Sequence, residues 1–357
     1  MATSTRRRSA AKSTKGTKKK LTPGQRAEFA EKRKAEVEGL QEQLTAAVVE
    51  FASSEGWAAL LKKMALRSRI MCRYSFRNVA LIFAQCPHAT DVCGYTEWKK
   101  RGRQVRKGQR GIRILAPNAI TPRDEKGEPQ KDKDGNEKRI TIFRPISVFD
   151  ISQTEQADGA QEPETADGVT LPEIGAKVQG TAPAEFMDRL TACLKSLGYS
   201  VEHGDTGRAD GYADPETRTV RIGEGFPEAH AANVLAHEAG HVQLDHTADM
   251  DEYVQHRGRM ETEAESVAYI VCAVAGIDSS VSSLSYIASW AGKTPEKVQE
   301  TMIEVGQRVT EASRAILAFT DPDEPESEDE SQVQSQDEEH GVTETADAES
   351  EALPIAV

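Results

Sequence analysis

The sequence predicts an α+β protein of two domains, with a basic arm at its N-terminus and an acidic tail at its C-terminus. Apolar residues at helical spacing and short segments of alternating strand-forming residues occur in both halves of the chain, which favours a mixed class. Residues 156–181 are rich in Glu, Pro, Gly, Ala and Asp and have little apolar periodicity, so they are predicted to be an interdomain linker. The two domains are expected at residues 22–155 and 182–320.

Charge is segregated at the two ends of the chain. The first 20 residues carry eight Lys and Arg and no acidic residue, whereas residues 321–357 carry fourteen Asp and Glu and no Lys or Arg. Neither end can bury a core, so disorder is predicted for residues 1–21 and 321–357. The basic arm either contacts nucleic acid, with the acidic tail competing for it or aiding solubility, or both ends are simply solvated.

The apolar content of the chain is not arranged as in a membrane protein. No apolar run approaches the twenty residues that a membrane span needs, and the basic start is not followed by the apolar core of a signal peptide. The five cysteines show no CxxC pairing. These features predict a protein with no membrane partner in a reduced, cytoplasmic setting.

The predicted N-terminal domain begins with helices and continues into a strongly basic stretch. Thr22-Pro23 is a helix-start pair, and apolar residues at helical spacing follow as far as residue 66. The segment Lys62–Arg113 then carries fourteen basic residues and two acidic ones. Within it, Gly94–Pro117 alternates strand-forming and turn-forming residues, which predicts a basic hairpin.

Aromatic residues are interleaved with the cations of this stretch. Cations neutralise phosphates and aromatic faces stack on bases, and single-stranded nucleic acid binding requires both. The alternative is a solvated basic face with ordinary core aromatics. Under the first interpretation the DNA contacts are expected from Arg73, Tyr74, Arg77, Trp98, Lys99, Lys100, Arg101, Arg103, Arg106, Lys107 and Arg110.

The predicted C-terminal domain combines helices with at least one short strand. A helix is expected over Pro183–Leu197 and is ended by Gly198, a turn is expected over Tyr212–Thr217, and a strand over Thr219–Ile222. A central helix follows this strand, and further helices are expected over residues 260–276, 280–291 and 294–318.

The central helix carries the sequence His-Glu-Ala-Gly-His at residues 237–241. On a helix this spacing puts His237 and His241 on one face, one turn apart, where two imidazoles can share a metal ion. Glu238 then lies beside the open coordination position. Apolar residues on both sides of the motif indicate a buried helix. The pattern predicts a metallohydrolase centre with His237 and His241 as ligands and Glu238 as the catalytic carboxylate.

A third ligand is expected from the next helix, Met260–Gly276. Glu261 and Glu265 lie on its small-residue side, where carboxylates are costly to bury unless they bind a partner such as a metal with its histidines. We assign Glu261 as the ligand and Glu265 as a supporting carboxylate, although spacing alone leaves the reverse order open. The arrangement resembles the gluzincins, in which a carboxylate one turn after the third ligand orients a histidine. Metzincins fit less well, because His246 comes five rather than six residues after His241.

The resemblance implies how such a centre would work. In zincin-like folds the strand before the active helix is an edge strand that holds a substrate backbone, which implies this place for Val220–Ile222 and a peptide or protein as substrate. Imidazole and carboxylate ligands suit Zn²⁺ best, with Mn²⁺, Co²⁺ and Ni²⁺ as alternatives. Zinc lowers the pKa of its water toward about 7 and polarises a carbonyl, while Glu238 would carry the proton. The candidates for stabilising the oxyanion are Tyr253, His256 and Arg257.

Motifs in the N-terminal half resemble a known family. The segments Tyr74–Asn78, Gly94–Trp98, Gly102–Gly108, Gly111–Pro117 and Val148–Thr154 are similar to the N-terminal domain of ArdC-type antirestriction proteins over roughly residues 25–155. That family joins a domain that binds single-stranded DNA to a C-terminal zincin-like metallopeptidase domain. The resemblance implies DNA binding linked to plasmid or phage transfer in the cytoplasm of a bacterial host cell.

Three functions remain open on the sequence alone. The chain either binds single-stranded DNA and cleaves peptide bonds, or binds DNA and shields it from restriction nucleases with a structural metal site, or is a regulatory metalloprotease that its basic domain recruits to DNA.

Overall fold

The computed structural model describes residues 22–122, 128–131, 133, 135–157, 181–183, 185–277, 290–292 and 294–321. The basic arm, nearly all of the acidic tail, most of the predicted linker and most of the predicted helix 280–291 lie outside these residues. The domain boundaries therefore stay predictions.

In the part of residues 22–157 that the structure describes, the chain begins with four α-helices and continues with five strands and one short α-helix. Thr22 caps the first helix, because its side chain accepts a hydrogen bond from the Gln25 amide while the Gln25 side chain accepts one from the Thr22 backbone. The elements are α1 (Pro23–Phe51), α2 (Ser54–Leu66), α3 (Ser68–Arg73), α4 (Phe76–Gln85), β1 (Val92–Cys93), α5 (Tyr95–Lys100), β2 (Arg103–Val105), β3 (Ile112–Ile120), β4 (Ile140–Asp150) and β5 (Thr154–Gln156).

The strands of this part form two small antiparallel sheets. The long strands β3 and β4 pair from Ile112 with Val148 to Ile120 with Ile140, and β1 adds to the other side of β4.

The predicted basic hairpin over Gly94–Pro117 is wrong. Its first segment is helix α5, and β2 pairs with the distant β5 instead of with β3. Local alternation could not reveal this, since the partner strand lies about fifty residues away.

The described residues of the C-terminal part form four helices and a three-stranded sheet. The elements are α6 (Phe186–Ser196), β6 (Ser200–His203), β7 (Gly211–Asp214), β8 (Thr219–Ile222), α7 (Glu228–Gln243), α8 (Met250–Val274) and α9 (Pro295–Thr320). The strand order is β6-β8-β7, with β6 parallel and β7 antiparallel to β8. The implied edge position of Val220–Ile222 is therefore wrong, because β8 is central and the edge strands are β6 and β7. The predicted turn over Tyr212–Thr217 begins as strand β7.

The two parts pack on each other across one continuous apolar core. Trp57 of α2 is fully buried and its Nε1–H donates a hydrogen bond to Ser266 Oγ of α8 over 2.9 Å. Gly306 of α9 lies so close to the Phe76 ring of α4 that an added Cβ would be 2.3 Å from Cζ. The mixed helix and strand content confirms the predicted α+β class. No helix in the described part of the chain is long and apolar enough to cross a membrane.

Candidate metal centre and basic surface

The close packing of α7 on α8 positions the predicted metal ligands. A Cβ added at Gly240 of α7 would lie 3.2 Å from the Ala264 carbonyl oxygen and 3.3 Å from its Cα, so small residues on both helices allow this approach. Ala264 is fully buried, and Glu261 precedes it by nearly one turn on α8. The structure therefore brings Glu261 to the face of α7 that carries His237 and His241.

Three ligand atoms converge between the two helices. His237 Nε2 and His241 Nε2 are 3.0 Å apart, and Glu261 Oε2 lies 3.4 Å from the first and 3.8 Å from the second. In a tetrahedral site with bonds of about 2.0–2.1 Å, ligand atoms are about 3.3 Å apart. The observed separations scatter around that value. Among the described residues these three side chains form the one group that could hold a metal ion.

The Nδ1 atom of each of these two histidines contacts another side chain, on the side of the ring away from the candidate metal site. His237 Nδ1 lies 3.2 Å from Glu265 Oε2, and His241 Nδ1 lies 3.0 Å from His246 Nδ1. Both Nε2 atoms therefore face Glu261, whereas Glu265 contacts the far side of the His237 ring. This geometry favours Glu261 over Glu265 as the ligand. The sequence reasoning missed His246, which it treated only as a badly spaced third histidine.

Burial and neighbouring charges shift the pKa values in this site. Burial disfavours the charged form of His237, but hydrogen bonds with Glu261 and Glu265 outweigh it and raise its pKa to about 10. Burial raises the pKa of Glu238 to about 7, against the opposing effect of His237 and with a further increase from Glu261. Burial also lowers the pKa of His241, although the nearby Glu261 carboxylate acts in the other direction. Glu238 is thus poised for proton transfer near neutral pH.

The edge strand β7 lies beside this carboxylate. The backbone N–H of Ala213 donates a hydrogen bond to Glu238, which stabilises its charged form. A Cβ added at Gly211 would meet Val234 at 2.6 Å and Glu238 at 3.5 Å, so only a glycine lets the strand lie this close to α7. The outer edge of β7 therefore runs past the Glu238 carboxylate.

Of the three oxyanion candidates, Tyr253 is the best placed. Its hydroxyl donates a hydrogen bond to Glu261 Oε1, and its ring centroid lies 5.9 Å from that of His241. Arg257 Nε is 3.9 Å from the same carboxylate oxygen, but its side chain is 72% exposed. His256 is exposed and has non-helical backbone angles at a kink in α8.

Three of the predicted DNA contacts are buried, which corrects those assignments. Trp98 is 1% exposed and its Nε1–H donates to the Phe149 carbonyl over 2.8 Å. The buried Tyr74 hydroxyl donates to the Val92 carbonyl, and Arg73 is 4% exposed and pairs with Asp91 at 2.7 Å. These side chains stabilise the interior, because a ring or guanidinium enclosed by protein cannot reach a base or phosphate.

The remaining cations lie at the surface. Arg77, Arg101 and Arg103 are partly exposed. Five others are exposed on α5 and on the turn between β2 and β3, namely Lys99, Lys100, Arg106, Lys107 and Arg110. Tyr95, 37% exposed and one turn before Lys99 on α5, was missing from the predicted contacts. Its spacing of four from Lys99 was the available signal. The structure thus replaces Trp98 with Tyr95 as the exposed aromatic of this region.

The structure has a candidate metal centre of the HExxH class, formed by His237, His241 and Glu261 on adjacent helices with Glu238 beside them. This centre is joined to a basic α+β region. Residues 34–149 match the family model for the N-terminal domain of anti-restriction factor ArdC. This part of the chain is therefore similar to the N-terminal domain of that family, as its motifs indicated.

Two curated relatives match this chain over much of its length. An uncharacterized protein of Bacillus anthracis, pXO2-81, is 27% identical over 315 residues, which cover 80% of this chain and 50% of the relative. The uncharacterized protein y4eC of Sinorhizobium fredii is 30% identical over 219 residues, which cover 57% of this chain and 64% of the relative. The chain thus spans half of one relative and somewhat under two thirds of the other.

Two solved structures of the antirestriction ArdC protein from plasmid R388 are also similar to this chain. The metal-free structure has a TM-score of 0.45 and 21% identity, and covers 69% of this chain and 85% of that one. The Mn(II)-bound structure has a TM-score of 0.42 and 20% identity, and covers 70% and 85%.

Proposed function

We propose that this chain is an antirestriction-type protein that binds single-stranded DNA through its basic region and hydrolyses peptide bonds at a zinc-dependent, metallopeptidase-like centre. The convergence of His237 Nε2, His241 Nε2 and Glu261 Oε2 at near-tetrahedral separations supports the metal centre most strongly. Two imidazoles and one carboxylate are the donor set of a catalytic zinc site, which keeps its fourth position for water. Mn²⁺, Co²⁺ and Ni²⁺ suit the same donors and are the alternatives.

The residues around the site have distinct roles in this proposal. A bound zinc ion would polarise the scissile carbonyl and acidify a water molecule. Glu238, with its pKa raised to about 7, accepts a proton from that water and passes it to the leaving amine. An extended peptide would add to the outer edge of β7, Gly211–Asp214, in place of the central strand that the sequence suggested. Tyr253 would donate to the oxyanion once its hydroxyl leaves Glu261.

The metal centre is tested with the full chain and three variants. Wild-type protein is expected to hold about one zinc ion per chain, and His237→Ala and His241→Ala are expected to lose it. Glu238→Gln should retain the metal, because this carboxylate is not a ligand, while peptide hydrolysis falls by about 10²-fold or more. Stoichiometric metal in both histidine variants would refute the ligand assignment. Unchanged hydrolysis by Glu238→Gln would refute the role of the base.

The Glu238→Gln variant also distinguishes peptide hydrolysis from the protection of DNA against nucleases. If the metal site is structural and the protein acts by covering DNA, Glu238→Gln should protect single-stranded DNA from a nuclease as well as the wild type does. If a protease recruited to DNA is the active species, the variant should bind DNA normally and fail in the cellular antirestriction assay. The exposed cations favour DNA binding in every case, so binding itself does not discriminate between these alternatives.

Part of the proposed DNA surface is formed by cations that make no ion pair with a described carboxylate, although Lys100 and Arg101 both pair with Glu97. Within the described part of the chain, no carboxylate pairs with Lys99, Lys107 or Arg110, whereas exposed Lys32 pairs with Glu28 at 2.7 Å. Unpaired cations are available to phosphates. They release counterions on binding, so affinity for single strands should fall with salt at a log–log slope of about −0.7 per phosphate neutralised.

Binding of an oligodeoxynucleotide at several salt concentrations tests this surface. The double variant Lys107→Ala with Arg110→Ala should weaken binding and flatten the salt slope by about 0.7 for each phosphate that is no longer neutralised. Tyr95→Ala should cost about 1–3 kcal/mol with little change in slope if its ring stacks on a base. The matched control removes two exposed, ion-paired lysines elsewhere, Lys32 and Lys297. Equal effects in the control would mean that only net charge matters.

A further inference from the structure

A buried histidine and glutamate lie directly behind the metal-facing side of His241. The side chains of His246 and Glu263 are each 1% exposed, and His246 Nε2 lies 2.9 Å from Glu263 Oε2. The other ring nitrogen of His246 is 3.0 Å from His241 Nδ1. Fully buried polar groups are costly unless each is satisfied, and the catalytic roles proposed above use neither residue.

The end of α7 explains how His246 reaches this position. Asp245 has a φ of 59°, which reverses the chain in the left-handed conformation that usually ends a helix at glycine. The His246 amide then donates to the His241 carbonyl over 3.0 Å, and the Asp245 amide to the Val242 carbonyl over 3.2 Å. An apolar contact commonly accompanies this helix end. Here the corresponding pair is His246 on His241, with ring centroids 5.1 Å apart.

Glu263 is held as a carboxylate by two arginines from different helices. Arg259 Nε of α8 lies 2.9 Å from its Oε1, and Arg308 Nε of α9 lies 2.9 Å from its Oε2. Arg308 also donates to the carbonyl of Leu244 at the end of α7, over 2.8 Å. An ionised carboxylate has no proton to give, so Glu263 only accepts hydrogen bonds. The His246 nitrogen that faces it therefore carries the proton.

The direction of the hydrogen bond from His246 to Glu263 also determines which nitrogen of His241, the proposed metal ligand, carries a proton. His246 Nδ1 and His241 Nδ1 are 3.0 Å apart, so one of them donates and the other accepts. When His246 donates through Nε2 and accepts through Nδ1, His241 donates through its own Nδ1. The His241 lone pair is then left on Nε2, the atom that lies beside His237 and Glu261. We propose that His246 and Glu263 are positioning residues that fix the tautomer and ring orientation of His241 for metal binding. This inference rests on the proposed metal centre and adds a His–Glu pair behind its second ligand.

Zinc affinity, measured with the full chain against a competing chromophoric chelator, tests this role. His246→Leu should weaken zinc binding by about 10–100-fold. His246→Gln should recover most of the loss, because its amide oxygen can accept from His241 while its amide NH₂ donates to Glu263. The matched control is Glu304→Gln, which removes a partner of Arg259 at the exposed end of the same network. It should leave the affinity unchanged.

A spectroscopic readout keeps the test independent of folding. In the zinc-loaded wild type, ¹⁵N chemical shifts should show a proton on His241 Nδ1 and a metal-bound Nε2. The opposite tautomer would overturn the proposal even if His246→Leu failed to fold. A merely structural pair would lower the melting temperature of His246→Leu and leave zinc affinity intact, which also overturns it. If the wild type binds no zinc, the proposed function fails together with this inference, whereas normal wild-type binding with an unaffected His246→Leu refutes this inference alone.

Discussion

Adding zinc to the metal-free protein should displace a proton from His237. Its pKa is raised to about 10 by hydrogen bonds with Glu261 and Glu265, against the effect of burial. A histidine binds metal only in its neutral form, so the ion and the proton compete for the same imidazole. Zinc binding is therefore expected to release a proton and to strengthen as the pH rises.

The number of protons released on zinc binding follows from the pKa values of His237 and Glu238. At pH 8 a group with a pKa of about 10 is about 99% protonated, so zinc should release at least about one proton from His237. Glu238 has a pKa of about 7, so it releases roughly half a proton at pH 7 when the bound zinc ion keeps its carboxylate ionised. Between about pH 8 and pH 9 the zinc affinity should rise close to tenfold per pH unit, because about one proton is released there.

Calorimetric titration in buffers of different ionisation enthalpy measures the number of protons released. Glu265→Gln provides a matched comparison, because it removes one of the two carboxylates that raise the pKa of His237 and leaves the proposed ligands in place. This variant should release fewer protons at pH 8 to 9. Release of less than half a proton by the wild type at pH 8, or an affinity that does not depend on pH, would refute the reasoning.

Four further predictions concern stability and packing. Because the pKa of His237 is about 10 in the fold and about 6.5 when unfolded, its contribution is complete below pH 6.5. The melting temperature of the metal-free protein should therefore fall between about pH 6.5 and 10, with a smaller fall in His237→Ala. Gly306→Ala should cost about 1–3 kcal/mol of unfolding free energy in denaturant titrations, because its Cβ meets Phe76. Gly39→Ala, with open space around it, should instead gain roughly 0.5–1 kcal/mol. Gly240→Ala should push α7 from α8 and weaken zinc binding, and unchanged affinity would contradict the packing argument.

Much of the metal centre could be predicted because its signals are local. Helical spacing alone placed His237 and His241 on one face and Glu261 and Glu265 on the next helix. The position of His246 could not be predicted in this way. It depends on a left-handed residue at Asp245, where the sequence has aspartate in place of the usual glycine.

The errors in the N-terminal half come from contacts between distant residues. Nothing near Trp98 in sequence indicates that its indole hydrogen-bonds the backbone of Phe149, and a tryptophan among lysines is compatible with either a base-stacking or a core role. The pairing of β2 with β5 has the same character. Whether a particular side chain is exposed depends on the folded structure, and composition alone does not assign exposure to individual residues.

The fit of Phe76 against Gly306 has a consequence for how such chains can recombine. A linker-like sequence at residues 156–181 suggests a convenient crossover point between homologous genes. A chimaera joined there would inherit the helix bearing Phe76 from one parent and the helix bearing Gly306 from the other. Any side chain larger than hydrogen at position 306 would collide with the ring. Hybrids that separate the two positions are therefore expected to lose stability, and exchanges within α9 should be tolerated best when that glycine is kept.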